Sequence, residues 1–166
     1  MIELKIIYDQ EAIRNPQVAA NYPWPTAESS MRQARRKTVP PSPTTLRELG
    51  EFLDVNNDRY QCSNQPFYKE WIVDNHGKFS IMFACDNLIS SVVHQGSTEL
   101  HADGTFKVVP LTPHSRQLFI IHLILQNHSI PVCFVLMETK SEASYKKVLE
   151  RFRAKYPNVR PTSVWS

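Results

Sequence analysis

The chain has 166 residues, 42% of them hydrophobic and 21% charged, with a formal net charge of +3. That length suits one ordinary domain with a core of its own, and the composition excludes a disordered or collagen-like polymer. No apolar stretch is long enough to span a bilayer, and the opening MIELKIIYDQ lacks the basic-then-apolar order of a secretory signal, so an intracellular protein is expected.

Residues 1–75 are polar and interrupted by Pro16, Pro23, Pro25, Pro40, Pro41, Pro43 and Pro66, which break long regular elements. They read as a helical, Pro-rich flanking region. Within it, residues 27–37 suit a helix ahead of the link VPPSP. Thr45 and Glu48 fit a capping box, and Leu46, Leu49 and Leu53 recur at helical spacing, which predicts a helix over 45–53.

From residue 76 onward a second region begins. KFSIMFA (78–84) is a short apolar run, and Asp86 is placed to cap a brief helix whose Leu88, Ile89, Val92 and Val93 face inward. Strands are expected over about 98–109, 117–126 and 130–138, forming a mostly antiparallel sheet. The last two are separated by Asn127, His128 and Ser129, which is hairpin spacing, and both are nearly continuously apolar, as suits a sheet covered on both faces. Ser141 is a good N-cap for a helix over about 141–156, in which Tyr145, Val148, Leu149, Phe152 and Tyr156 share one side. RPTSVW (160–165) then has the character of a further strand, delivered where a β-α-β crossover would place it.

Cys62, Cys85 and Cys133 are odd in number and widely spaced, so neither a disulfide framework nor a paired-cysteine metal knuckle is expected; the reading is buried or idle thiols. Residues 140–160 hold seven Lys and Arg against Glu142 and Glu150, and Arg32, Arg35, Arg36 and Lys37 form a second basic cluster. Such segments either track a phosphate backbone or form the solvated face of a helix.

The stretch ELHADGTFK (99–107) places Asp103 and Gly104, both poor strand formers, inside a strand. Strand alternation puts Leu100, Ala102, Gly104, Phe106 and Val108 on one face and Glu99, His101, Asp103 and Thr105 on the other. A carboxylate within a sheet built for burial is costly unless paired, solvated or bound to a cation. Either the pair is a bulge or turn at the rim, or Asp103 is held there for chemistry.

The run HADGTFKVVP, then RQLFIIHLIL, then IPVCFVLMETKSEASYKKVLERF, resembles the core of the MULE (Mutator-like element) transposase domain, a DDE-type integrase with a ribonuclease H-like α/β fold. The likeness covers roughly residues 78–160, and the upstream RRK…PPSPTTLREL is similar to the stretch preceding that domain in animal copies. It implies a partial ribonuclease H-like domain over 76–166, with Asp103 as the first catalytic carboxylate on the first strand. It also implies metal-dependent phosphodiester cleavage and strand transfer, with Mg²⁺ or Mn²⁺ held by Asp103 and its partner carboxylates, DNA as partner and a nuclear or cytoplasmic location. The family's second carboxylate lies at the end of the strand after the amphipathic helix, where this chain stops, and the third lies farther along. No FLYWCH-type zinc module precedes the core.

A truncated, transposon-derived fragment without catalysis of its own is therefore expected. Lys146, Lys147, Arg151, Arg153 and Lys155 are its candidate DNA-binding residues. The alternative is a non-catalytic DNA-binding or protein-interaction module, pairing with itself or with a full-length relative. Asp86, Glu99 and Glu138 are the nearest acids available to rebuild a site, and Glu138 reads as a solvated strand-end charge. His101, Asp103 and His122 are a competing set of zinc ligands.

Overall fold

The computed structural model describes residues 3–38, 42–97, 99–105 and 109–165, and its contacts divide into two compact units, Met1–Pro41 and Ser42–Ser166. The expected division at 75/76 falls inside the second unit, because residues 46–73 pack with the sheet.

In the first unit, α1 (Leu4–Arg14) gives way to α2 (Pro16–Asn21) at a proline that occupies the first helical turn, and α3 (Trp24–Thr38) follows. The rings of Tyr8 and Trp24 meet at 5.4 Å, with Lys5 Nζ 5.2 Å from each ring centre. Arg32 is paired with Glu28, so this part of the N-terminal basic cluster is neutralised locally.

The second unit opens with α4 (Leu46–Asn56). Thr45 Oγ1 accepts the Glu48 N–H at 3.1 Å, while Glu48 Oε2 accepts the N–H of Thr44 at 2.7 Å, so the capping box is present with its return bond shifted back by one residue. After a 3-10 turn (Asn57–Arg59), β1 (Gln61–Cys62) and β2 (Gln65–Pro66) form a small hairpin over Ser63 and Asn64, both at positive φ.

The remaining strands are β3 (Tyr68–Val73), β4 (Phe79–Ala84), β5 (Glu99–Thr105), β6 (Gln117–Leu125), β7 (His128–Met137) and β8 (Ser163–Trp165). Helix α5 (Asp86–His94) lies between β4 and β5, and α6 (Glu142–Lys155) between β7 and β8. Among the described residues these strands form one six-stranded sheet in the order β3-β4-β7-β6-β5-β8, antiparallel except that β8 runs parallel to β5. The expected three-stranded sheet is thus its middle, and residues 68–73, expected in a helical flank, supply one edge. The reason is local: YKEWIV is aromatic and β-branched, and a bulge at Lys69 lets both faces of the strand find partners.

Three other expectations shift. The β6–β7 turn is two residues, Gln126 and Asn127 at φ 50° and 63°, because His128 and Ser129 already pair with β6. Cys85, not Asp86, is the residue flanking the start of α5. Double-sided burial of β6 does not occur: Gln117, Phe119, Ile121 and Leu123 are buried, while Leu118, Ile120, His122 and Ile124 alternate with them and are only partly covered.

That asymmetry follows from what covers each face. On one side, Ile89 and Val92 of α5 and Val148 and Phe152 of α6 share a core with Leu100, Phe119, Ile121, Val135 and Met82. On the other, Leu46 and Leu53 of α4 pack on Tyr68 and Ile81, reaching only as far as Leu136 of β7. Gly50 permits this approach, since a Cβ there would stand 3.0 Å from Trp71 Cβ.

Candidate functional site

Asp103 and Gly104 do not end the strand. Both stay in continuous antiparallel register with β6, Asp103 opposite Ile120 and Gly104 opposite Phe119. Thr98 and Phe106–Val108, the outer parts of the strand expected over 98–109, lie outside the described residues. Leu100 is buried against the α5–α6 side, so alternation sends Asp103, with Glu99, His101 and Thr105, to the opposite and open face. Solvation there removes the burial cost that made this carboxylate conspicuous in the sequence: Asp103 is exposed.

His101 stands directly across from His122. His101 Nε2 lies 3.8 Å from Glu99 Oε2 and has no hydrogen-bond partner. His122 Nδ1 meets the Ser129 hydroxyl at 3.0 Å. Burial holds the His122 imidazole below its ordinary range; the charge of Asp103 opposes that and the charge of His101 adds to it, so the three share one electrostatic neighbourhood. They do not form a zinc site: among the described residues no three His, Cys, Asp or Glu side chains converge as ion ligands.

The other acids are committed elsewhere. Asp86 accepts Lys69 Nζ and the Tyr156 hydroxyl, each at 2.6 Å. Glu138 is not a free solvated charge: its Oε2 accepts the Phe79 N–H at 3.0 Å, closing the β4–β7 end of the sheet. Glu99 faces His101. A two-ion cleavage centre needs several carboxylates meeting on hard cations. The described donors around Asp103 do not fit a Mg²⁺ or Mn²⁺ pair.

Along α6 the cations stand in different surroundings. Lys146 and Lys147 line a cleft of about 550 Å³ with Asn75, His76 and Glu150. Arg153 lines another, of about 730 Å³, with Arg160 and the apolar Leu100, Leu149 and Phe152. Arg151 donates through Nε to Glu70 Oε2 on β3 at 2.9 Å and also through Nη2. It is therefore partly neutralised, unlike its expected role. Lys155 is exposed near the helix C-terminus, where its charge adds to the stabilisation of the Asp86 carboxylate. Leu149, expected inside, is 38% exposed.

The sheet stands between Asp103 and α6. Strand alternation and the packing of Val148 and Phe152 put them on opposite faces. Among the described residues no helix is long and apolar enough to cross a membrane. Comparison with family models, with curated proteins and with solved structures finds no match to this chain.

Proposed function

We propose that this chain is a transposase-derived, ribonuclease H-like module that binds polynucleotide along α6 and does not cleave it. The observation carrying the proposal is the separation itself: exposed Lys146, Arg153 and Lys155 lie on the helix face of the sheet, and the carboxylate of Asp103 lies on the other. The ancestry is supported by the strand order β7-β6-β5-β8. Three antiparallel strands are followed by an amphipathic helix and then by a strand parallel to the first, as the resemblance implies.

Binding of this kind is electrostatic, so its free energy comes from release of counterions condensed on the phosphates. If Lys146, Lys147, Arg153 and Lys155 neutralise about four phosphates, affinity for duplex DNA falls roughly a hundredfold between ~50 and ~200 mM salt. Fluorescence anisotropy with a labelled duplex measures this. Lys146→Glu and Arg153→Glu are expected to weaken binding and flatten the salt slope, whereas Arg151→Ala, already paired with Glu70, has the smaller effect. Absent or salt-independent binding overturns the binding half of the proposal. Cleavage in Mg²⁺ or Mn²⁺ that Asp103→Ala abolishes overturns the non-cleaving half.

A further inference from the structure

We propose that Cys62 and Cys85 form a reversible intramolecular disulfide, a redox modification site joining the β1–β2 hairpin to the start of α5. This inference is independent of polynucleotide binding. The two thiols are 23 residues apart in sequence, yet their sulfurs meet at 2.6 Å. Cys62 closes β1 just before the Ser63–Asn64 turn, where both residues take positive φ, and Cys85 sits at the joint between β4 and α5. A second bond holds the same two segments together, Asn87 Nδ2 donating to Ser63 O at 3.3 Å. Further tethers run through Phe67, whose N–H donates to Tyr60 O at 2.8 Å and whose carbonyl accepts the Ala84 N–H at 2.8 Å. The sulfurs are thus brought into contact by backbone bonds on both sides.

The chemistry of the pair is unequal. Burial opposes ionisation of Cys85. The Cys62 thiol, the N–H groups of Leu88 and Asn87 at the start of α5, and the Ser63 hydroxyl together outweigh it and hold the Cys85 thiol below its ordinary range, so Cys85 is the more readily ionised of the two. Cys62 is correspondingly the proton donor, its own ionisation raised chiefly by that bond. A thiolate at a helix N-terminus is the nucleophilic form, and half-buried Cys62 opens the pair to solvent. Cys133 differs in every respect: it is fully buried and burial pushes its thiol far up, which makes it an internal control.

With a hydroperoxide as oxidant the step balances. The Cys85 thiolate attacks one peroxide oxygen, the O–O bond breaks, and hydroxide leaves, giving a sulfenic acid. The Cys62 sulfur then displaces hydroxide from the Cys85 sulfur and loses its proton. With hydrogen peroxide, two thiols become one disulfide and the peroxide becomes two waters. A dithiol reductant reverses the change by exchange.

The test treats the full chain with hydrogen peroxide, quenches, denatures in acid with N-ethylmaleimide, and maps peptides by mass spectrometry. The expected result is a linked Cys62–Cys85 peptide pair, monomeric protein, and labelling of both residues reduced about tenfold relative to Cys133, restored by dithiothreitol. In Cys62→Ser the link is lost and Cys85 is trapped as sulfenic acid by dimedone. Full labelling of Cys62 and Cys85 after peroxide, or links formed instead to Cys133 or between chains, overturns the proposal. A Cys85→Ser chain that still protects Cys62 would do the same.

Discussion

Ile121→Ala is expected to destabilise the second unit by about 2–5 kcal/mol, while Ile120→Ala, one residue away on the same strand, costs under about 1 kcal/mol. Ile121 is completely buried, touching a core that both α5 and α6 close. Its truncation removes buried methylenes and leaves a cavity that a closely packed interior fills only in part. Ile120 faces the side that α4 does not reach, opposite exposed Asp103, and its removal takes away surface that is only partly covered. Urea unfolding of both variants, followed by tryptophan fluorescence, measures the difference through the shift in midpoint at constant slope. Equal losses would mean that the β5–β6 face is covered as fully as the helix face, and the exposure assigned to Asp103 would fall with that result.

The contrast between these neighbouring residues also explains what could be read in advance. Helix α6 was legible because Ser141, Val148 and Phe152 state a cap and a buried stripe at fixed spacing, and these are local properties. The β6–β7 hairpin was legible for the same reason. Which face of a nearly continuous apolar strand is covered is not local: LFIIHLILQ has no polar alternation to declare it, and the answer depends on how far α4 extends across the sheet. Strand β3 was missed because Lys69 and Glu70 interrupt its apolar pattern. The structure explains both, Lys69 reaching Asp86 from the bulge and Glu70 meeting Arg151 on α6. Arg151 was assigned to DNA for want of knowing that Glu70 lay beside it. The Cys62–Cys85 contact carried no signal at all, since it joins a two-residue strand to a helix start across 23 positions and neither segment has a pattern that points to the other.

Asp74→Ala is expected to cost about 2–3 kcal/mol, and the loss should shrink in acid. Asp74 is buried at the turn between β3 and β4. Its Oδ1 accepts the N–H groups of His76 at 2.8 Å and Lys78 at 3.0 Å, and its Oδ2 accepts the Ser144 hydroxyl from the first turn of α6. One carboxylate therefore folds the turn and pins α6 to the sheet, with negative charge at the favourable end of the helix dipole. Alanine takes the acceptor from the buried Ser144 hydroxyl and from the turn N–H groups of His76 and Lys78, the costly half of a lost hydrogen bond where the donor is buried; Asp74→Asn keeps an acceptor for the turn and loses less. Burial alone would raise the Asp74 carboxyl, but the bonds from Ser144, Lys78 and His76, with the charge of His76, outweigh it and hold the group below its ordinary range. A carboxyl depressed by folding contributes stability that is fully present above its unfolded value, near ~3.9, and is lost as pH falls through the lower folded value. Asp86 is depressed as well, by Lys69 and Tyr156 against burial, so the intact protein loses stability in acid for more than one reason. The difference in urea midpoint between the intact protein and Asp74→Asn isolates the one group. It should be constant from neutral pH down to about 4 and narrow below that. A difference that stays fixed into strong acid would mean that Asp74 acts through shape alone, with its charge contributing nothing to the joint between turn and helix.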